Sequence, residues 1–311
     1  MRQRLAAIVG PTAVGKTSVA IRVAQLLNGE IISCDSMQIY RGMDIGTAKA
    51  SPSERQQVKH HLLDIVNPDE DYSVARYQAE CKDIISRLNQ EGKLPILVGG
   101  TGLYYQAVVD DYVFEPMESR FAVRDKWNHI LDQRGLDYGY RYLQSVDPEY
   151  ALKISPNDRK RIIRALEVCE LTGQPFSRSQ VRRQSTYNLV VAGLYLERSR
   201  LYTRIDRRVE EMIAQGFIAE VQGLLEKGYL PTLNAMQALG YRQVAAYLQG
   251  LITREEMIKD MQKETRRYAK RQFTWFNRDQ RICWFDQEEC RDEMARAEKI
   301  SRWMEGQFPA A

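Results

Sequence analysis

Cysteine is sparse in this chain, and none of Cys34, Cys81, Cys169, Cys283 and Cys290 shares a CxxC spacing, which excludes a disulfide framework and a structural zinc site. Histidine is scarcer still. His60, His61 and His129 are too few for a metal cluster, and the adjacent pair would point in different directions from a regular backbone. With 19 glycines and 10 prolines among 311 residues, collagen-like repeats and low-complexity linkers are excluded as well. Long apolar runs are missing: LPILV at residues 94–98 falls far short of the roughly 20 residues a bilayer span needs. No signal-peptide pattern precedes the apolar residues that start at Leu5. A soluble protein of the cytoplasm, without a membrane partner, is expected.

Nor is one sign of charge in excess, since 45 basic residues face 41 acidic ones for a net +4. The distribution says more. Residues 1–110 hold 12 basic and 12 acidic side chains, whereas residues 159–200 hold nine against three and residues 263–281 seven against two. The second basic segment interleaves Tyr268, Phe273, Trp275 and Phe276 among its cations, a mixture that can hold phosphates and stack bases, although a solvated helix face has the same look. Hydrophobic residues at 44% and charged residues at 28% describe a globular chain of one large domain or two modest ones.

Periodicity orders the chain into strand, Gly-rich loop and helix from Leu5 to Leu27, a second strand over residues 30–34, a helix over 72–89 and a buried strand over 95–98 that ends in the turn Gly99, Gly100, Thr101, Gly102. Strands alternating with helices predict an α/β fold, a parallel sheet covered on both faces. From about residue 115 to 184 the pattern becomes helical, charged and tyrosine-rich, which predicts an inserted all-helical subdomain. The apolar run at 188–196 predicts that the sheet resumes before a mainly helical C-terminal region. The expected division is therefore 1–114 plus 185–311 for the catalytic core and 115–184 for the insertion.

The run Gly10, Pro11, Thr12, Ala13, Val14, Gly15, Lys16, Thr17 matches GxxxxGK[ST] between a strand and a helix. Backbone N–H groups of residues 12–17 can surround phosphate oxygens, Lys16 adds a positive charge, and the Thr17 hydroxyl can ligate Mg²⁺. Phosphoryl transfer normally wants a second strand ending in Asp, and the strand at 95–98 ends in glycine instead. Asp35, after the strand at 30–34, is placed at the carboxyl edge of the sheet. It fits a metal or substrate ligand in a kinase, a general base in another group transfer, or a carboxylate capping its own loop.

The motifs GPTAVGKT (10–17), DSMQIY (35–40), DIGTAK (44–49), HHLLD (60–64), LVGGTGLY (97–104), NDRKRIIRALEV (157–168), ALGYRQ (238–243) and AKRQFTWF (269–276) occur in an order that resembles the tRNA dimethylallyltransferases, the MiaA-type tRNA isopentenyltransferases. The likeness covers nearly the whole chain. It implies a P-loop NTPase-like fold and transfer of a dimethylallyl group from dimethylallyl diphosphate to N6 of the adenosine 3′-adjacent to the anticodon in tRNA. A loop that grips NTP phosphates can equally hold diphosphate as a leaving group, so no ATP hydrolysis is required. The resemblance implies catalytic roles for Asp35 as general base, for Lys16 and for Thr101. Diphosphate would be held by residues 10–17 with Arg204 and Arg208, and Mg²⁺ by Thr17.

Contacts to the tRNA anticodon stem-loop are implied for Asp35, Ser36, Met37, Gln38 and Thr101, for Arg124, Arg159, Lys160, Arg161 and Ile162 in the insertion, and for Gln237, Gly240, Tyr241, Arg242, Lys270, Arg271, Gln272 and Trp275. For Arg204 and Arg208 an ordinary surface pairing with Glu211 is an equal alternative, and for residues 237–242 a helix–turn corner is. Without a Cys/His extension or a targeting segment in the sequence, a compact bacterial-type monomer is expected. A P-loop kinase would explain the loop and Asp35 but leave both basic segments unused, and a nucleotide-gated RNA-binding protein would leave Asp35 unused. A transferase acting on free adenine nucleotides would have less need of residues 159–164 and 270–275.

Overall fold

The computed structural model describes residues 2–114, 120–179 and 186–308. Contacts divide the chain into two compact units, Met1–Val109 with Ser185–Ala311, and Asp110–Gln184.

The first unit begins with β1 (Arg4–Val9), α1 (Lys16–Leu26), β2 (Gly29–Cys34), α2 (Pro52–Gln57), β3 (His60–His61), α3 (Val74–Gln90), β4 (Leu94–Gly99) and α4 (Gly102–Val109). Helix starts follow local chemistry. Ser51 caps α2 in a reciprocal box with Glu54 and is followed by Pro52, while the Ser73 hydroxyl accepts the Arg76 N–H at the start of α3. The second unit consists of α5 (Arg120–Arg134), α6 (Leu136–Val146), α7 (Pro148–Ala151), α8 (Arg159–Thr172) and α9 (Phe176–Ser179). The chain then returns to the first unit as β5 (Asn188–Tyr195), α10 (Arg198–Ala214), α11 (Phe217–Glu226), α12 (Tyr241–Leu248), α13 (Arg254–Phe276), β6 (Ile282–Asp286) and α14 (Glu293–Gln307).

Six strands form one parallel sheet in the order β3-β2-β4-β1-β5-β6. On β1, Ala6 and Ile8 face the apolar cluster shared with α1, α10 and α14, whereas Leu5, Ala7 and Val9 face the one shared with α3, α4 and α13. Strict alternation with both faces filled is what a buried parallel strand requires. The register brings Val9 opposite Gly99, and Gly99 opposite Cys34, so β1, β2 and β4 end at one level. The loops after them carry Gly10, Asp35 and Thr101 out along the same edge. A third cluster joins Ile39, Tyr40 and Met43 of the loop after β2 to Phe217, Val221, Tyr241, Val244 and Met261.

The α/β expectation holds, with two elements added. Strand β3 is only two residues long, and β6 lies in the stretch expected to be helical; both are the outermost strands, paired on one side only, so their sequences carry little alternation. The second unit has its own core of Trp127, Leu131, Leu143, Ile162, Ile163 and Leu166.

Candidate active site

Gly15 sits at φ +95° and caps α1, which turns the loop so that its backbone meets the helix N-terminus. Lys16 folds back over this loop and donates to Gly10 O at 3.0 Å and Pro11 O at 2.7 Å. Burial, together with the neighbouring Arg208, lowers its pKa to about 7. An arriving anion would restore full charge to it. Thr12 departs from the expected cradle, because its N–H already donates to Gln272 Oε1 at 2.8 Å.

Asp35 follows β2 directly, and its Oδ1 accepts the Met37 N–H at 2.8 Å, closing a turn that fixes the carboxyl group at the sheet edge. Burial raises its pKa above the ordinary carboxylate value, against the opposing pull of the Met37 N–H, Lys16, the Gln38 N–H and Arg208. The residue is thus a stronger base than a surface aspartate. Thr101 is held by two backbone contacts, its N–H donating to Cys34 O at 3.2 Å and its Oγ1 accepting the Ser36 N–H at 3.1 Å. Glycines surround it for steric reasons. A β-carbon at Gly99 would overlap the Cys34 backbone, one at Gly100 the Gln272 amide, and one at Gly102 the Trp275 indole.

Two cavities meet at Asp35. The polar one, about 250 Å³, is lined by Ala13, Gly15, Lys16, Thr17 and Gln38. The second, about 350 Å³, is walled by Ile205, Val209, Met212, Phe217, Leu239 and Met261, and bordered by Ser36, Met37, Gln237, Gly240, Arg242 and Arg271. Thr12, Asp35, Thr47, Arg208 and Tyr268 line both. A third, open cleft of about 850 Å³ runs past Thr17, Arg204 and Arg208.

Arg208 touches all three spaces, and its guanidinium has no hydrogen-bond or ion-pair partner among the described residues. Burial lowers its pKa, while Asp35 and Glu211 raise it. The surface pairing considered for Arg204 and Arg208 belongs to neither: Glu211 pairs with Arg207 at 2.6 Å.

Several residues expected to face RNA are committed elsewhere. Gln38 accepts from the Ser33 hydroxyl at 2.9 Å and donates to Thr47 O and Ala48 O, so its amide shapes the loop. Tyr241 is 0% exposed in the third cluster, Gly240 is buried, and Gln272 is 5% exposed with both ends of its amide engaged. Val14 is also a core side chain, leaving only its backbone for a ligand. Tyr268 and Thr47, which line both cavities, are residues that motif matching passed over as site members; burial raises the Tyr268 phenol pKa, and the side chains of Thr101 and Gln272 act against that. The signal for Tyr268 was its place four residues before Gln272, on the same helix face.

In the second unit Ile162 is fully buried, so its side chain is core. Arg124 pairs with the buried Glu167 at 3.0 Å, Arg159 with Asp132 at 2.7 Å, and Arg161 with Asp158 at 3.3 Å. Lys160 is exposed with no partner among the described residues.

Residues 38–279 match the family model described as IPP transferase. The chain is 60% identical over 305 residues to a tRNA dimethylallyltransferase of Syntrophomonas wolfei, covering 98% of each chain. Among solved structures it is similar to the tRNA isopentenylpyrophosphate transferase of Bacillus halodurans, at 42% identity and a TM-score of 0.74 over 98% of this chain and 97% of that one. It is also similar to a eukaryotic dimethylallyltransferase described as acting on tRNA, at 30% identity and a TM-score of 0.83 over 99% of this chain and 80% of that one. With a GxxxxGKT loop, a basic carboxylate and a second cavity converging at one sheet edge, and with the family model matching residues 38–279 and a 60% identical relative covered over 98% of its length, the chain belongs to the IPP transferase family.

Proposed function

We propose that the chain transfers a dimethylallyl group from dimethylallyl diphosphate to N6 of the adenosine 3′-adjacent to the anticodon in tRNA, releasing diphosphate. The observation that carries this reading is the meeting of the phosphate-loop cavity and the apolar, cation-bordered cavity at Asp35. The names of the relatives support tRNA as acceptor.

The diphosphate lies on the backbone N–H groups of residues 13–17, with Lys16 and Arg208, which has no partner among the described residues, against its oxygens. The adenine enters from the other cavity, with its amino group at Asp35. Its lone pair forms the C–N bond as the allylic C–O bond breaks; the electron pair of that bond leaves with diphosphate, and Asp35 takes the N6 proton. Both groups need help, since the amine lone pair is delocalised into the ring and diphosphate leaves with added charge. Ser36 and Met37 border the adenine, and Thr101 orients it through Ser36.

The donor set fits Mg²⁺. The Thr17 hydroxyl has no partner among the described residues, and these contain no group of three or more His, Cys, Asp or Glu side chains placed to hold a metal, so substrate oxygens and water would complete the coordination. A bound Mg²⁺ would neutralise charge on the departing diphosphate.

RNA backbone is gripped by Lys270 and Arg271 on α13, by Arg242, and by Arg124, Arg159, Lys160 and Arg161 in the helical insertion. The last three occupy the first turn of α8, directly after its N-cap Asp158, whose carboxylate accepts the Arg161 N–H. No helix among the described residues is long and apolar enough to cross a membrane; we place the enzyme in the cytoplasm, as a monomer.

The test is incubation with labelled dimethylallyl diphosphate, Mg²⁺ and unmodified tRNA, with ATP and free AMP as competitors. Label in tRNA without ATP is expected; phosphorylation that requires ATP, with no label in tRNA, would overturn the reading.

A further inference from the structure

Gln272 stands on α13 between an exposed pair of cations, Lys270 and Arg271, and the indole of Trp275, but it points inward. Its Oε1 accepts the Thr12 N–H at 2.8 Å and its Nε2 donates to Gly100 O at 2.9 Å. One amide therefore spans two loops that are remote in sequence. Thr12 belongs to the phosphate loop and lines both cavities; Gly100 precedes Thr101, whose hydroxyl sets the Ser36 backbone beside Asp35. The contact is tight, since a β-carbon at Gly100 would overlap the Gln272 amide. The same helix carries Arg271 into the rim of the apolar cavity and lays its side chain over the Tyr268 ring, 5.7 Å from the centroid. Both loops, and the cationic rim, are thus referred to one rigid element.

We propose that Gln272 is a positioning residue that locks the phosphate loop and the Thr101 turn to α13, so that RNA seated on α13 and diphosphate seated on the loop strengthen each other's binding. The inference rests on the transfer reading above and adds the coupling between its two substrates. The physical basis is reciprocal. A loop whose first N–H is held in place has less freedom to lose when diphosphate binds, and a helix tied to an ordered loop has less to lose when RNA binds. Gln272 borders the polar cavity but not the apolar one, and both polar ends of its amide are taken by the Thr12 N–H and Gly100 O. Its loss should therefore uncouple the two sites and misalign the leaving group, while leaving RNA affinity by itself intact.

The experiment uses the full chain, as wild type, Gln272→Met and Gln272→Glu. Dissociation constants of a fluorescent anticodon stem-loop are measured with and without saturating inorganic diphosphate and Mg²⁺, alongside the single-turnover rate and the thermal unfolding midpoint. In the wild type, diphosphate should tighten stem-loop binding at least about fivefold. In Gln272→Met the ratio should fall to about one and the single-turnover rate at least about tenfold, with stem-loop affinity in the absence of diphosphate unchanged within about twofold. Gln272→Glu provides a control within one protein. A protonated carboxyl can accept from Thr12 and donate to Gly100 as the amide does, whereas an ionised one is repelled by the carbonyl. Its coupling ratio, taken relative to wild type at the same pH, should be near one at low pH and fall as the carboxyl ionises; this arm also decides the matter if Gln272→Met does not fold.

No coupling in the wild type would overturn the proposal. So would a Gln272→Met protein that keeps the coupling but binds the stem-loop at least about tenfold more weakly, which would make Gln272 an RNA contact. If the wild type moved no label into tRNA, the transfer reading would fail instead, and the binding ratios would still decide the role of Gln272.

Discussion

The Tyr241 hydroxyl donates to Glu220 Oε1 at 2.6 Å, and the same carboxylate accepts the backbone N–H groups of Asp44, Ile45 and Gly46 at 3.0, 2.7 and 3.3 Å. Four donors from two distant motifs converge on one side chain of α11. The loop it pins supplies Thr47 to both cavities, and Gly46 is packed so closely against Phe217 and Tyr241 that a β-carbon there would overlap their rings.

Glu220→Ala leaves those donors unpaired and should destabilise the fold by about 2–3 kcal/mol, read from chemical denaturation. Tyr241→Phe removes one bond and should cost about 1 kcal/mol with no change in tRNA affinity. A loss of tRNA binding without loss of stability would return Tyr241 to the RNA interface.

As the proposed general base, Asp35 should set the acid side of the pH profile. Because burial raises its pKa, the single-turnover rate should begin to fall on acidification at a higher pH than a surface aspartate would give. Asp35→Ala should slow transfer by at least ~100-fold with tRNA affinity nearly unchanged. Linkage gives a second sign. A carboxyl whose folded-state pKa is raised contributes stability that is fully present below its unfolded pKa, about 3.9, and is lost as pH rises through the folded value. Asp35→Asn, neutral at every pH, should therefore unfold at neutral pH no earlier than wild type; a lower midpoint would show that the ionised carboxylate holds the fold together.

Gly102 exists to let Trp275 approach. Gly102→Ala places a methyl group inside the indole, and the repacking should cost about 1–3 kcal/mol. Near-UV circular dichroism should register the shifted tryptophan, and an unchanged unfolding midpoint would show that α13 has room to move.

On α8, Lys160 is the cation without an internal partner, whereas Arg159 and Arg161 are held in ion pairs. Exposed pairs of that kind are weak and open readily to phosphate. Lys160→Ala should flatten the salt dependence of tRNA binding by about one, and neutralising all three residues by about three. An unchanged slope in the triple variant would remove this helix from the interface.

Local pattern was enough to read the strand–loop–helix of residues 5–27, the strands at 30–34, 95–98 and 188–196, and the placement of Lys16, Thr17 and Asp35. Each of these depends on period, capping or a loop whose geometry is written in neighbouring residues. The short outer strands were illegible because one-sided pairing demands no alternation over two to five residues. Motif membership also could not separate residues that face a ligand from residues that hold the site in place, since both recur in the same short words: Arg271 is exposed at the rim of the apolar cavity, while both ends of its neighbour Gln272's amide are bonded to Thr12 and Gly100.

The linear order of residues thus determines the chemistry available to this protein, a GxxxxGKT loop before a helix, one carboxylate at the sheet edge and two clusters of cations, because loops and caps are local. Which of those groups are free to act is a tertiary matter. Thr12 loses its N–H to a side chain 260 residues away, and Arg208, where three spaces meet, has no partner among the described residues. Hydrogen-bond partners and burial are settled only when distant segments pack.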